Sequence, residues 1–333
     1  MVRWLVIIGI CSCLSGCAPI AAPLITTAPN AYSPFAGPKN PLPSLEDIAG
    51  VDQHFFVNVG SPQSSLAVSI VEPTDRSRPP EGTIIVLHGI RARSVWMMPV
   101  ARVLSEKGYR AVLIDMRGHG RSTGSQITYG VQESLDVSQV IDHLERSKMI
   151  AGKIGVYGVS FGASTALQLA ANDDRIKSVV AVAPYSSLSE VAPDYIAGAL
   201  PGVGTLMTKG RIQAAVDRAS AKAGFHPDAT DCLSAIKQTQ APVLLIHGTS
   251  DRLIPVGHSQ RLHDANPDSH LVLVPKYGHL AVQFDPSAIV VSHGVEWFDQ
   301  TLPAVAPQRL IPDSPASSPA SAGNLKKPST AVP

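Results

Sequence analysis

The stretch Gly158-Val159-Ser160-Phe161-Gly162 sets a hydroxyl between two glycines, each two residues away. It follows the apolar, β-branched run Lys153–Val159 and precedes the Ala- and Leu-rich run Phe161–Ala171. The setting predicted is therefore a strand that turns sharply into a helix. Side chains flanking the serine at two residues would collide across such a turn. Glycines avoid the collision, and the turn lifts the Ser160 hydroxyl above the sheet as a nucleophile. The plainer alternative is an ordinary strand-to-helix turn that asks nothing of the serine. A serine hydroxyl needs a base. Downstream, LLIHGTSDRLIP puts Asp251 in the loop after an apolar run, and LVLVPKYGHLAV puts His279 five residues past Val274. The chain order serine, acid, histidine, with each group just after a strand, predicts one sheet edge for all three. His279 would take the Ser160 proton, and Asp251 would fix the imidazole tautomer and stabilise its cation.

These groups need a sheet to hold them. Eight β-rich runs stand out: His54–Val59, Leu66–Val71, Thr83–His88, Arg110–Asp115, Lys153–Val159, Ser178–Val182, Pro242–His247 and His270–Val274. From the third onward most are continuously apolar, the pattern of parallel strands buried on both faces. The first two alternate more and are joined by a short connection, so they are expected to pair antiparallel at an edge. Helical patterns fall between the later runs. One is Val131–Arg146, with Leu135, Val140, Ile141 and Leu144 on the apolar side. The fold class is thus α/β, a doubly wound and mostly parallel eight-stranded sheet. The long interval 184–240, with a helix around Arg211–Ala223, predicts a helical cap over the carboxyl edge, where open α/β sheets bind ligands.

The chain resembles the α/β-hydrolase family from about residue 54 to residue 300. The resemblance rests on VLHGI at 86–90, DMRGHGRS at 115–122, GVSFG at 158–162, and HGTSDRLIP with YGHL near the end. It implies an oxyanion hole made of two backbone N–H groups, those of Ile90 and Phe161. It covers esterases, lipases, amidases, peptidases and thioesterases alike. Ala163 stands where many lipases of this fold carry a second glycine.

Other candidate residues have simpler readings. His88 and His119 are expected to shape loops, and His247 to pack under the acid loop. Asp115, followed by RGHG, reads as turn chemistry despite being an alternative acid. Asp228 and Asp231 read as solvated or helix-capping groups. Cys232 reads as a small buried hydrophobe.

The ends of the chain differ from its middle. Residues 1–16 carry Arg3 and an apolar run from Trp4 to Leu14, too short for a bilayer span of about 20 residues, as in a secretory signal. Leu14-Ser15-Gly16-Cys17 resembles a bacterial lipobox, which implies cleavage before Cys17 and lipid on that cysteine. Residues 17–44 read as a Pro-rich tether and 45–302 as the catalytic domain, with the cap at about 184–240. Residues 303–333 read as a disordered tail rich in Pro, Ser and Ala. The expected location is the bacterial cell envelope, lipid-anchored, with Ala18 resembling outer-membrane sorting toward the periplasm.

A formal net charge of +1 and the lack of a basic stripe argue against a nucleic-acid partner. No metal or organic cofactor is implied, since nucleophile and base are both side chains. The expected partners are a small acyl substrate and, through Cys17, a membrane; the sequence sets no oligomeric state. The function expected is a serine hydrolase of the carboxylesterase kind, working through an acyl-enzyme on Ser160. A lipase, a peptidase or amidase, and a non-catalytic envelope scaffold are the alternatives. Tyr195, Ile196, Leu200, Val203, Leu206 and Met207 in the cap are as consistent with an acyl pocket as with packing.

Overall fold

The computed structural model describes residues 25–31, 50–199, 208–285 and 287–303. Cys17, the signal-like residues 1–16, most of the tether, the tail beyond Pro303, and Leu200, Val203, Leu206 and Met207 lie outside the described residues.

Eight strands form one sheet. They are β1 (Gln53–Val59), β2 (Ser64–Val71), β3 (Gly82–Leu87), β4 (Arg110–Ile114), β5 (Lys153–Val159), β6 (Ile176–Val182), β7 (Val243–Gly248) and β8 (His270–Val274). Their spatial order is β1-β2-β4-β3-β5-β6-β7-β8. β1 and β2 pair antiparallel, β2 meets β4 antiparallel, and every later pair is parallel. The apolar runs therefore do what their continuity implies. Ile85, Leu87, Val112, Ile114, Val156 and Leu245 face one hydrophobic cluster, while Ile84, Val86, Leu113, Val159, Leu244 and Ile246 face another. Neighbouring residues in a strand point to opposite faces, so two covered faces demand an unbroken apolar run.

Helices supply the covers. On one face lie α2 (Val131–Arg146) and α3 (Phe161–Asn172); on the other lies α1 (Met98–Glu106), joined there by the last described helix. In α2 the buried apolar residues are Val137, Val140, Ile141 and Leu144. Leu135, expected on the apolar side, is 48% exposed. The difference is one of phase: with 3.6 residues per turn, Val137 rather than Leu135 shares a stripe with Val140, Ile141 and Leu144.

Beyond β6 come α4 (Leu188–Ala199), α5 (Lys209–Ala223) and α6 (Cys232–Gln238). Leu188, Ala192, Ile212 and Val216 form a small apolar cluster of their own between α4 and α5, and Ile196 packs against it. This is the cap. α6, inside the interval 184–240, instead contributes Cys232 and Ile236 to the main core. The remaining helices are α7 (Gly257–Ala265), α8 (His279–Phe284) and α9 (Ile289–Thr301).

Part of the expected tether is bound to the domain. Thr26 and Ala28 are fully buried. Ala28 N–H donates to the Ser125 carbonyl and Ile127 N–H to the Thr26 carbonyl. Ile25 joins the cap cluster, and the Thr26 hydroxyl reaches the Ala219 carbonyl of α5. Residues 25–31 are thus a strap across the junction of cap and core. Small side chains allow this: Ala28 lies against Gly118, where a Cβ would come within 2.2 Å of the Ala28 Cβ.

Candidate active site

Ser160 stands at the carboxyl end of β5 with φ 55° and ψ −114°, a strained conformation for a residue bearing a side chain. Its N–H donates to the Val182 carbonyl at 2.7 Å, which ties the turn to β6. The flanking glycines are sterically required. A Cβ on Gly158 would lie 2.2 Å from the Gly162 carbonyl oxygen, and one on Gly162 would lie 2.5 Å from that of Leu87. The next residue, Phe161, is buried between the rings of His119 and Tyr129, with centroids 5.7 and 6.0 Å away. This aromatic packing holds the first turn of α3 in place.

Asp251 follows β7 in a loop that its own carboxylate closes. Oδ1 accepts the N–H groups of Leu253 and Ile254, both at 2.9 Å. Oδ2 lies 2.7 Å from His279 Nδ1 and 3.5 Å from His247 Nε2. Burial alone would raise the pKa of this carboxyl, but the hydrogen bonds from His247 and His279 outweigh it and hold the group well below the usual carboxylate range. Asp251 is therefore a fixed anion. Its loop is stitched to the histidine loop: Ser250 N–H donates to the Tyr277 carbonyl at 2.9 Å.

His279 opens α8, and its Nε2 lies 3.1 Å from Ser160 Oγ. A carboxylate can only accept, so Nδ1 carries the proton toward Asp251 and the Nε2 lone pair faces the serine. The three residues expected at one edge of the sheet are brought within hydrogen-bonding distance in the order Ser160, His279, Asp251. Such a set can take a proton from a hydroxyl and return it to a leaving group.

The segments that bear Ile90 and Phe161 fall beside it. The turn Gly89–Ala92 is closed by Ala92 N–H to the Gly89 carbonyl, with Ile90 at its first central position. Phe161 is the first residue of α3, where an N–H has no intrahelical acceptor. Gly89 lies against the nucleophile, since a Cβ there would be 3.7 Å from Ser160 Cβ.

The secondary candidates have structural work. His88 Nδ1 donates to the Gly89 carbonyl, and its Nε2 accepts from Met116 N–H. His119 donates to the Arg117 carbonyl; burial, then the adjacent His88, lowers its pKa to about 3. Asp115 accepts the N–H groups of Ser94 and Arg121, and so pins the segment after the Gly89–Ala92 turn to the DMRGHG turn. His247 donates to the Ile254 carbonyl beneath the acid loop. Asp231 caps α6, while Asp228 is exposed. Cys232 is fully buried, and burial pushes its thiol up to about 12. Two features carried no motif. Gln283, one helical turn past His279, reaches over Gly89, with Nε2 3.3 Å from the position a Cβ would take; its spacing of four from His279 is the signal that could have found it. The other is a second serine–histidine–aspartate set, Ser186, His258 and Asp194, at the base of the cap.

The family model of X-Pro dipeptidyl-peptidases (S15 family) matches residues 63–224, and an α/β-hydrolase model described as TAP-like protein matches residues 225–304. The chain belongs to the α/β-hydrolase family. The protein YqkD of Bacillus subtilis is 26% identical over 204 residues, which are 61% of this chain and 66% of that protein. The match thus spans just under two thirds of that relative's length. A monoacylglycerol lipase of Mycolicibacterium smegmatis is 25% identical over 280 residues, 74% of this chain and 96% of the lipase. Among solved structures, the Pyrococcus furiosus esterase Pf2001 shares the α/β-hydrolase fold with a TM-score of 0.59 at 23% identity, over 75% of this chain and 92% of the esterase.

Proposed function

We propose that the protein is a serine hydrolase of carboxylic esters. Ser160 attacks the ester carbonyl while His279 accepts its proton. The carbonyl oxygen, now negative, is held by the N–H groups of Ile90 and Phe161. His279 then returns the proton to the departing alcohol, leaving an acyl group on Ser160. Water, activated by the same histidine, releases the acid and restores the serine. Asp251 keeps the imidazole in the required tautomer throughout. The observation that carries this reading is the 3.1 Å approach of His279 Nε2 to a strained, glycine-flanked Ser160, with Asp251 2.7 Å behind. Esters are preferred because an alkoxide leaves more readily than an amine.

The test is hydrolysis of p-nitrophenyl acetate by the folded protein and by Ser160→Ala. Turnover that depends on Ser160 supports the reading, and folded protein with no such turnover contradicts it. The S15 match favours amide hydrolysis as a second reading. An X-Pro p-nitroanilide hydrolysed faster than the ester would bring that reading forward. We also propose attachment to a cell-envelope membrane through lipid on Cys17. Membrane partitioning that persists in Cys17→Ala would contradict it.

A further inference from the structure

We infer that the acyl chain of the substrate lies on an exposed apolar surface made by Trp96, Leu280 and Phe284, which makes medium-chain fatty-acyl esters the preferred substrate class. The inference rests on the reading of Ser160 as an esterase nucleophile.

Large apolar side chains are exposed at few places among the described residues. Trp96 is 47% exposed, Leu280 62% and Phe284 53%. Trp96 and Phe284, far apart in the chain, stand together with ring centroids 6.2 Å apart. Phe56, also exposed, already has a partner in the Arg121 guanidinium. The Trp96–Phe284 pair joins two segments that carry site residues, the one that follows Gly89 and the helix that His279 opens. α8 is a helix of six residues, about 9 Å long. Its residues at spacings of four share a face. His279 and Gln283 turn toward Ser160 and Gly89, as their contacts show. Leu280 and Phe284 lie one residue further round the helix and are exposed. Trp96 belongs to the short helix Ser94–Met97 that continues the turn bearing Ile90.

The chemistry fixes which part of the substrate meets this surface. The carbonyl oxygen must point to the N–H groups of Ile90 and Phe161, and the leaving oxygen must lie under His279 Nε2. On this inference the third substituent on the carbonyl carbon, the acyl chain, leaves between the Gly89–Met97 segment and α8, which carry the three apolar side chains. The cap offers less: Ile196 is engaged in the α4–α5 cluster, and the cap's other described contacts near the site are Tyr185 and Val191 packed on Ile254.

The experiment compares kcat/KM for p-nitrophenyl octanoate and acetate, both below their aggregation limits, in the full chain. The octanoate-to-acetate ratio in the wild type is expected to be about 10 to 100, from partial burial of six added methylenes. In Trp96→Ser/Phe284→Ser, and separately in Leu280→Ser, the ratio should fall, about tenfold or more in the double variant. Leu135→Ser, an exposed leucine elsewhere, should leave it unchanged. A wild type that prefers acetate, or a ratio that the double variant keeps, overturns the inference while leaving the esterase reading intact. Loss of binding to phosphatidylglycerol vesicles in the double variant with an unchanged ratio also overturns it, and assigns the patch to membrane contact. Absence of Ser160-dependent turnover of either ester overturns the esterase reading and this inference with it.

Discussion

Among the described residues stand two serine–histidine–aspartate constellations, and they differ in what happens to the histidine lone pair. At the sheet edge, His279 donates from Nδ1 to Asp251 and turns Nε2 to Ser160 alone. At the base of the cap, His258 lies 3.1 Å from Asp194 through Nε2 and 2.7 Å from Ser186 Oγ through Nδ1. There, however, Nδ1 also receives the Ser186 N–H at 3.2 Å and the Arg261 guanidinium at 3.0 Å. The Ser186 hydroxyl in turn bonds Glu190. A lone pair facing a cation and an amide is not free to accept a proton. Burial, then Arg261, lowers the His258 pKa further. Ser186 lacks the positive φ of Ser160 and is fully buried. The same three residue types thus leave an imidazole nitrogen facing a serine hydroxyl in one place and make a cross-link between cap helix α4 and core helix α7 in the other. Composition does not distinguish the two; donor and acceptor bookkeeping around the imidazole does.

Substitutions should separate the two sites. Ser160→Ala should lower kcat/KM for a p-nitrophenyl ester by about ten-thousandfold or more, with the unfolding midpoint little changed. Asp251→Asn should lower it by roughly a thousandfold or more, since an amide can stabilise the wrong tautomer and carries no charge for the imidazolium. Steady-state kinetics reads both. His258→Ala should act on stability instead. It removes the link between Ser186 and Asp194 and strips one partner from each and from the Arg261 guanidinium, which should cost about 1–3 kcal/mol in urea unfolding, while ester turnover changes less than threefold.

Acid should expose the same histidine. A group whose folded pKa is depressed binds its proton only in the unfolded chain as pH falls. Its stabilising contribution is complete above the unfolded value of about 6.5 and is lost below it, at up to about 1.4 kcal/mol per pH unit. His88, His119 and His258 all fall in this class. The urea midpoint should therefore decline from pH 6.5 downward, and the decline should be shallower in His258→Gln. A midpoint flat from pH 7 to 4.5 would contradict this. Ser186→Ala should have the smallest effect, about 1 kcal/mol, with activity retained.

The sheet was legible because both of its faces are covered. Strands such as Ile84–Leu87 and Val243–Ile246 must then be continuously apolar, a pattern that survives without any knowledge of neighbours. The sharp turn at Ser160 was legible because such a turn restricts residue types locally, and Asp251 and His279 because each follows an apolar strand. What escaped depends on contacts distant in the chain. Residues 25–31 sit among prolines and read as a tether, yet Ala28 fits only because Gly118 lacks a side chain. The phase of α2 turned on Val137 rather than Leu135, a choice fixed by the core it meets. The His258 cluster draws on Ser186, Glu190 and Asp194, which recur at a helical spacing of four, but the His258 and Arg261 that complete it lie far along the chain, on a helix that only the fold brings alongside.

The most direct test labels the wild-type protein with a fluorophosphonate and maps the adduct by mass spectrometry after tryptic digestion. Ser160 and Ser186 fall in different tryptic peptides, residues 154–175 and 178–209. A single adduct on Ser160 is the result expected, with His279→Ala sharply slowing its formation. An adduct on Ser186, or none on the folded protein, would contradict the assignment of Ser160 as the nucleophile.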